Sequence, residues 1–374
     1  MKRRTFLAAG STALAGFAGC LGDTGGSDGA ETTTSTTSGT ATADTTAQTE
    51  LSGTLNVATY SAFVDAPSTS PGKWVKRQFE KEYPKATLEW QTPENEVNHF
   101  LQRKAQGLDV TTDAYVGLNV DHLIKIDEKL GGKQLFVPMA DSLSNYGHVK
   151  DDLAFDPDGR AIPYDTGYVS LVYDGTTVND PGTFDALADE YANDLIVENA
   201  QQAATGRAFL LWTVHQFGPD GYLDYWQRLT ENDVQILGSW DAAYTAYSNG
   251  ERPIVVSYST DRVYAHREEG VNMKKHKIGF PNGQGYANPE GMAKFADAKN
   301  PELADAFLDF MLSKEVQSKI PTLNVQFPAT DWAAPGEEFQ KYAKSPDEPV
   351  TYSYDDLKGN VEDWVEQWAR QVAT

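Results

Sequence analysis

Aromatic and acidic side chains recur where the sequence predicts that strands end. Tyr60 follows a short β-prone run, and Tyr258 closes another. Trp240 and Asp241 come just before a predicted helix, and Asp165 lies in a long β-prone stretch. Aromatic faces attract positive charge through their quadrupoles, and carboxylates offset it. These residue types together favour a flat, cationic organic ligand.

Motifs that would indicate catalysis or a bound metal are missing from the sequence. The six histidines form no HExxH motif or other close ligand pair, and the one cysteine is Cys20. No GxSxG motif or phosphate-cradling loop occurs, and Gly283-Gln284-Gly285 lacks the third glycine of a dinucleotide fingerprint. We therefore expect no catalytic residue, no metal and no cofactor, and we predict that the protein is not an enzyme.

The charge balance excludes some partners. The 374 residues include 31 Lys and Arg against 54 Asp and Glu, a formal charge of −23. A nucleic-acid-binding protein must neutralise phosphates, and a protein that docks on anionic lipid needs a basic patch. We expect neither partner. An acidic surface over a core-forming composition (40% hydrophobic) indicates a protein that stays hydrated in high salt, and we infer a halophilic source.

The first fifty residues predict an export signal followed by a flexible linker. Residues 1–20 have a basic start, an apolar run of small residues and a final Cys20, and Arg3-Arg4-Thr5-Phe6-Leu7 resembles the twin-arginine export signal. The apolar run is shorter than the ~20 residues that span a bilayer. We predict a lipoprotein signal peptide whose Cys20 carries the lipid. Residues 21–50 are rich in Thr, Ser and Gly and predict a disordered linker. The expected location is the outer face of the cell membrane.

The remaining chain alternates predicted strands and helices. The main predicted strands are 55–60, 87–90, 113–118, 161–174, 234–237 and 253–258, and the main predicted helices are 71–83, 96–106, 120–130, 183–191, 207–216, 241–249, 301–312 and 314–319. This alternation favours an α/β fold with a largely parallel sheet. Trp364 and Trp368, four residues apart in a final predicted helix, indicate packing.

From about Leu55 to Ala373 the chain resembles the thiamine-binding proteins of thiamine ABC importers. The resemblance is carried by TYSAF (59–63), DAYVGL (113–118), PYDTGYVSLVYD (163–174), GRAFLLW (206–212), SWDAAY (239–244), VVSYSTDRVYAH (255–266), NPELADAFLDFMLS (300–313) and IPTLNVQFPA (320–329). The resemblance implies the two-lobed type II periplasmic binding protein fold, an ABC permease partner, and thiamine or a related cationic heterocycle as ligand.

The resemblance also places ligand-binding residues. Trp240 and Tyr258 fall on residues that would sandwich a ring, and Glu96, Asp165 or Asp261 would offset the thiazolium charge. The full expected set is Tyr60, Asn95, Glu96, Asp165, Ala204, Thr205, Trp240, Tyr258, Ser259, Thr260, Asp261 and Tyr264.

The sequence departs from the family pattern at several of these positions. Asn95-Glu96 replaces an Asp-Gly pair, Ala203-Ala204 replaces a Ser-Thr pair, and Asp261 replaces a serine. Val325 stands where a tryptophan is expected, and residues 64–70 hold no tryptophan. Phosphate esters of thiamine are alternative ligands, and Arg207 and Arg262 are the candidates to bind the phosphate.

Two crossings, near residues 164–167 and 286–292, would divide the globular part. We predict lobe 1 from residues 51–165 and 286–374, and lobe 2 from residues 166–285. We expect a monomer.

Three alternatives remain at this point. A receptor of the same fold for a polyamine or iron is the nearest, although the sequence has no Tyr-Tyr pair of the kind that iron receptors show. An extracellular enzyme that degrades thiamine or pyrimidines is the second, but its cysteine nucleophile is absent outside the signal. A structural surface lipoprotein is the third.

Overall fold

The computed structural model describes residues 51–66 and 69–372. The predicted signal peptide, Cys20 and the linker to residue 50 lie outside the described residues. The described residues fall in the compact unit Thr49–Thr374. None of the helices they form is long and apolar enough to cross a membrane.

Strands and helices alternate through the described residues. The strands are β1 (Gly53–Ala58), β2 (Ala86–Gln91), β3 (Ala114–Leu118), β4 (Phe136–Val137), β5 (Ala161–Tyr173), β6 (Leu195–Glu198), β7 (Gln235–Leu237), β8 (Ile254–Tyr258), β9 (Lys277–Gly279), β10 (Gln284–Phe295), β11 (Phe327–Pro328) and β12 (Glu348–Val350). The helices are α1 (Ser61–Asp65), α2 (Gly72–Glu82), α3 (Val97–Ala105), α4 (Val120–Leu130), α5 (Phe184–Asp189), α6 (Ala204–Phe217), α7 (Tyr222–Glu231), α8 (Trp240–Ser248), α9 (Asp261–Ala265), α10 (Pro301–Met311), α11 (Lys314–Leu323), α12 (Glu337–Tyr342), α13 (Tyr354–Leu357) and α14 (Val361–Val372).

The strands join in one sheet with the order β2-β1-β3-β10-β5-β8-β6-β7. Pairing is parallel among β1, β2 and β3 and among β6, β7 and β8, while the central pairs β3–β10, β10–β5 and β5–β8 are antiparallel. The sheet is therefore mixed, and along this order the parallel pairing expected from alternation occurs only at the two ends.

The two longest strands, β5 and β10, connect these ends. Early residues of β5 and late residues of β10 lie near β3, whereas Val169–Tyr173 of β5 pair with β8. In the β5–β10 register Glu290 faces Asp165, and a bulge follows Glu290. Both predicted crossings fall on this strand pair. The lobe borders drawn from the sequence stay a prediction.

The last helix packs against the middle segment of the chain. The Tyr222 hydroxyl of α7 donates a hydrogen bond to the Trp364 carbonyl at 3.1 Å. Trp368 is fully buried and meets Trp226 edge-on, with ring centroids 5.3 Å apart. The two final tryptophans thus pack as expected, and α14 lies on a helix of predicted lobe 2 although its own residues were assigned to lobe 1.

Three local expectations differ from the structure. Strand β1 ends at Ala58, so Tyr60 is the residue that precedes α1, and Trp240 is the first residue of α8 rather than a loop residue. Tyr286 and Glu290 lie within β10, where the glycines and Pro289 suggest a loop. Pairing with β5 overrides that local preference, because strand formation depends on the neighbours a segment meets. Strand β6 and helix α7 were not predicted.

Candidate functional site

Two tyrosines share one carboxylate where the long strands β5 and β10 pair. The Tyr60 hydroxyl donates to Glu290 Oε2 at 3.0 Å, and the Tyr164 hydroxyl donates to the same oxygen at 2.7 Å. The Asn324 amide adds a hydrogen bond to the Tyr60 hydroxyl at 3.1 Å. Tyr60 comes from the chain just after β1, Tyr164 from β5 and Glu290 from β10, so three separate segments build one polar cluster.

A second carboxylate lies beside this cluster. Asp165 is fully buried, and its Oδ2 accepts a hydrogen bond from Asn324 at 2.6 Å while its Oδ1 has no partner. Among the described residues no Lys, Arg or His pairs with Asp165 or Glu290. Burial and the facing Glu290 raise the pKa of Asp165 well above its ordinary value. Burial also raises the pKa of Glu290, against the lowering effect of the two tyrosine hydroxyls.

Glu290 opens onto a cleft cavity of about 360 Å³. Its walls come from residues of both predicted lobes. They include Tyr60, Glu96, Asn119, Asp121, Lys125, Ala204, Arg207, Tyr286, Asn288 and Glu290. Glu290 lies in the wall of this cleft and the buried Asp165 lies opposite it in the β5–β10 register, without a basic partner for either among the described residues. Such a wall suits a cation, which would supply the missing opposite charge.

Glycines let the aromatic rings approach the strands closely. Gly117 of β3 has a φ of +99°, and a Cβ there would lie 2.5 Å from Tyr60 Cδ1. Gly167 of β5 leaves room for Tyr258, since a Cβ at that position would lie 2.5 Å from Tyr258 Cδ1. Both positions require glycine because any side chain would displace the ring.

Several buried polar atoms of β5 and of the segments beside it have no partner among the described residues. They are Asp165 Oδ1, Thr166 Oγ1, Ser259 Oγ and Gln326 Oε1. Ser259 is held beside β5 by its amide, which donates to the Tyr168 carbonyl at 2.9 Å, and Gln326 Oε1 lies next to Gly167. An unpaired buried polar group costs about 1–3 kcal/mol, so a ligand that supplies hydrogen-bond partners here would be stabilised.

Trp240 presents an aromatic face at the surface. It is 38% exposed, unusual for so large an apolar side chain, and its ring stacks on Tyr244 with centroids 5.1 Å apart. Its indole Nε1 donates to the Ser257 hydroxyl at 3.0 Å, which fixes the ring against the end of β8. Ser239 caps α8 by accepting a hydrogen bond from the Ala242 amide at 3.2 Å, so the helix start holds Trp240 in place.

The structure separates some of the expected site residues from the cleft. The Asp261 carboxylate accepts the Tyr244 hydroxyl and lies 2.8 Å from His276 Nδ1. Tyr264 lines a different cavity of about 480 Å³, together with Tyr247 and other residues. Neither Asp261 nor Tyr264 lines the cavity that contains Glu290.

The remaining expected residues are placed as follows. Tyr60, Glu96 and Ala204 line the cleft cavity. Asn95 is exposed and outside the cavity lining, Thr205 is buried with an unpaired hydroxyl, and Thr260 is buried next to Ser259. Glu96 has a φ of +47°, which is rare for a residue with a side chain and marks a sharp turn into α3.

Sequence reasoning did not select four residues of this region. Tyr164, Glu290, Asn288 and Asn324 belong to the cluster or the cavity walls. Tyr164 and Glu290 fall within the two predicted crossings, but only the β5–β10 register brings Glu290 opposite Asp165. The described residues contain no group of three or more His, Cys, Asp or Glu arranged to hold a metal ion.

Comparison with known proteins identifies the family. Residues 117–358 match the family described as bacterial extracellular solute-binding protein. The chain belongs to that family. Residues 1–70 match a second family, described as a domain of unknown function.

Two curated proteins are similar to this chain along most of their length. The chain is 29% identical over 321 residues to the thiamine-binding periplasmic protein of Escherichia coli strain K12, an alignment that covers 85% of this chain and 93% of the relative. It is 27% identical over 288 residues to the protein of the same name from Haemophilus influenzae, covering 76% and 82% of the two chains.

Solved structures confirm the fold of this solute-binding protein. A periplasmic thiamin binding protein superposes with a TM-score of 0.73 at 26% identity, covering 86% of this chain and 97% of the other. The apo FutA2 protein from Synechocystis PCC6803 superposes with a TM-score of 0.67 at 16% identity over 86% and 99% of the two chains, which is a likeness of fold alone. The two-lobed type II fold expected from the sequence is therefore correct.

Proposed function

We propose that this solute-binding protein captures thiamine outside the cytoplasm and delivers it to an ABC importer. The observation that carries the proposal is that Glu290 of the cleft wall lies opposite the buried Asp165 in the β5–β10 register, and that neither has a basic partner among the described residues. A permanent cation such as the thiazolium ring would offset their charge. The thiamine-binding relatives, similar along most of both chains, support the same ligand.

The other candidate ligand contacts are rings and unpaired polar atoms that do not themselves line the cleft cavity. Tyr258 and Trp240 are the candidates to stack against the pyrimidine or thiazolium ring. Ser259 and Gln326 hold buried atoms without partners that suit the polar edge of a heterocycle. Asp261 and Tyr264 stay candidates only if lobe movement brings α9 toward the cleft. Hinge closure is the usual motion in two-lobed receptors.

Isothermal titration of thiamine into the purified protein in high salt tests the ligand. We expect near-stoichiometric binding with quenching of tryptophan fluorescence. Trp240→Ala should weaken binding, and Glu290→Gln should weaken it while keeping an acceptor for the two tyrosines. Spermidine and ferric citrate serve as comparison ligands. If either binds and thiamine does not, the fold stands and the proposed ligand is wrong.

We propose that Cys20 anchors the receptor to the outer face of the membrane through a lipid. The support is the sequence of residues 1–20, with its basic start, short apolar run and final cysteine. Mass spectrometry of the membrane-extracted protein should find a lipid-modified N-terminal cysteine. Cys20→Ser should move the protein into the soluble fraction, and a variant that stays in the membrane would contradict the anchor.

A further inference from the structure

The two arginines that were candidates to meet a ligand phosphate are already engaged. Arg262 donates from Nη1 to the carbonyls of His276 at 2.7 Å and Met273 at 3.2 Å, and it does not line the cleft cavity. Arg207 does line the cavity, but its Nε donates to the Ala200 carbonyl at 3.2 Å and its Nη1 donates to Asp121 Oδ2.

The Arg207–Asp121 pair lies across the cleft. Arg207 belongs to α6 in predicted lobe 2, and Asp121 is in the first turn of α4 in predicted lobe 1. Their side chains are only 26% and 16% exposed, so solvent screens the pair weakly. Burial alone would raise the pKa of Asp121, but the Arg207 guanidinium lowers it below its ordinary value. Asp121 therefore stays ionised at neutral pH and cancels the charge of Arg207.

The other ionisable side chains of the cleft favour a cation over an anion. Apart from the Arg207–Asp121 pair, the titratable acidic and basic residues of the cavity walls are Glu96, Glu290, Lys125 and His122, and Asp165 lies opposite Glu290 in the β5–β10 register. To pair with the one arginine of this wall, a phosphate group would have to draw Arg207 away from Asp121. That exchange leaves a partly buried carboxylate without its partner, which is costly. A neutral hydroxyl at the same place makes no such demand.

We propose that Asp121 is a specificity-determining residue that makes the receptor prefer the unphosphorylated cation over its phosphate esters. The inference rests on the proposed thiamine function. The ligand class it names is a cationic heterocycle whose side arm ends in a neutral alcohol. Asp121 acts by holding Arg207, the one arginine of the described cavity wall, in a closed ion pair.

The dissociation constants of thiamine and thiamine monophosphate, measured for each variant, test the proposal. The native protein should bind thiamine more tightly by about tenfold or more, since a charge-assisted hydrogen bond must be given up to admit the phosphate. Asp121→Asn frees the guanidinium and should move the ratio of the two constants about tenfold toward the monophosphate. The double variant Asp121→Asn/Arg207→Gln should lose that gain.

Two further variants serve as controls. Glu128→Gln removes one negative charge from the exposed side of the same helix, so it should leave the ratio unchanged. Arg207→Gln alone should not weaken the monophosphate relative to thiamine, because Arg207 is already occupied.

Four results would overturn the proposal. They are equal or tighter binding of the monophosphate by the native protein, an unchanged ratio in Asp121→Asn, the same shift in Glu128→Gln, and a selective loss of the monophosphate in Arg207→Gln. If the native protein binds neither compound, the proposed function itself is wrong and this inference falls with it.

Discussion

Asp165 and Glu290 are the residues whose ionisation should couple cation binding to pH. Burial raises the pKa of both carboxyl groups, and their mutual repulsion adds to the shift of Asp165. Without a bound cation, the two carboxyls therefore retain protons at pH values where an exposed carboxyl has lost them. A bound cation favours the ionised forms and lowers these pKa values, so cation binding and proton binding oppose each other.

We expect thiamine affinity to rise with pH above the ordinary carboxyl range, with protons released on binding. Titration calorimetry between pH 5 and 8, repeated in buffers of different ionisation enthalpy, measures both effects. Glu290→Gln should bind more weakly and flatten the pH dependence. The exposed Glu302→Gln is the matched comparison and should behave like the native protein. A pH-independent affinity with no proton release would contradict this role of the pair.

Glu198, at the end of β6, makes a separate prediction about stability. It is fully buried, and neither carboxylate oxygen has a hydrogen-bond partner among the described residues. Burial raises its pKa from 4.5 to about 8, partly opposed by the nearby Thr205 hydroxyl. Between these two pKa values the folded state holds a proton that the unfolded state has lost. Stability therefore falls as pH rises from about 4.5 to 8 and then levels off.

Glu198→Gln keeps the shape of the neutral acid and removes this titration. Relative to the native protein, the variant should gain stability between pH 5 and pH 8.5 on the order of 4 kcal/mol. Urea unfolding at the two pH values gives the difference. Equal gains at both pH values, or none, would show that Glu198 does not carry a raised pKa in the folded protein.

At the scale of the element, strand β3 determines where the Tyr60 ring can lie. Gly117 gives β3 a backbone with positive φ and leaves its face open, and Tyr60 occupies the space that a Cβ would need. The strand thus positions a site residue that belongs to another segment of the chain. Gly107, after α3, also has a positive φ (+73°), but no atom lies within 4 Å of the place that a Cβ would take there.

Comparison of Gly117→Ala with Gly107→Ala separates backbone strain from ring displacement. Both variants should lose about 1–2 kcal/mol because alanine disfavours positive φ. Gly117→Ala should lose a further ~1–3 kcal/mol from overpacking against Tyr60 and should also bind thiamine more weakly. Urea unfolding and calorimetric titration measure the two effects. Equal losses of stability with unchanged binding would mean that the Tyr60 ring moves aside at no cost and would contradict this prediction.

For the whole molecule, net charge sets how stability responds to salt. The chain carries a formal charge of −23, and like charges on a folded surface repel one another. The screening length falls from about 10 Å at ~0.1 M salt to about 3 Å at ~1 M, so salt should relieve this repulsion. The halophilic source inferred from composition stays a prediction.

We expect the Tm of the purified protein to rise when sodium chloride is increased from ~0.1 M to ~1 M, because that range covers most of the change in screening length. Potassium chloride should act in the same way, since screening depends on ionic strength. Differential scanning calorimetry measures the shift. A Tm that is constant or falls over this range would contradict repulsion as the dominant effect.

The sequence by itself determined the fold class, and it predicted a cationic ligand. Local apolar periodicity placed helices such as α4 and strands such as β3 close to their observed bounds, because those patterns follow from which face of an element is buried. Aromatic and acidic residues near strand ends pointed to a cationic ligand. The resemblance to solute-binding proteins pointed to the two-lobed architecture.

Only the tertiary structure decided which of those residues meet. The register of β5 and β10 puts Glu290 opposite Asp165, and a shift by one residue would turn Glu290 to the other face. The approach of α4 to α6 pairs Asp121 with Arg207 across 86 positions of sequence. Such contacts depend on how distant elements pack, whereas composition and local pattern report only on neighbours in the chain.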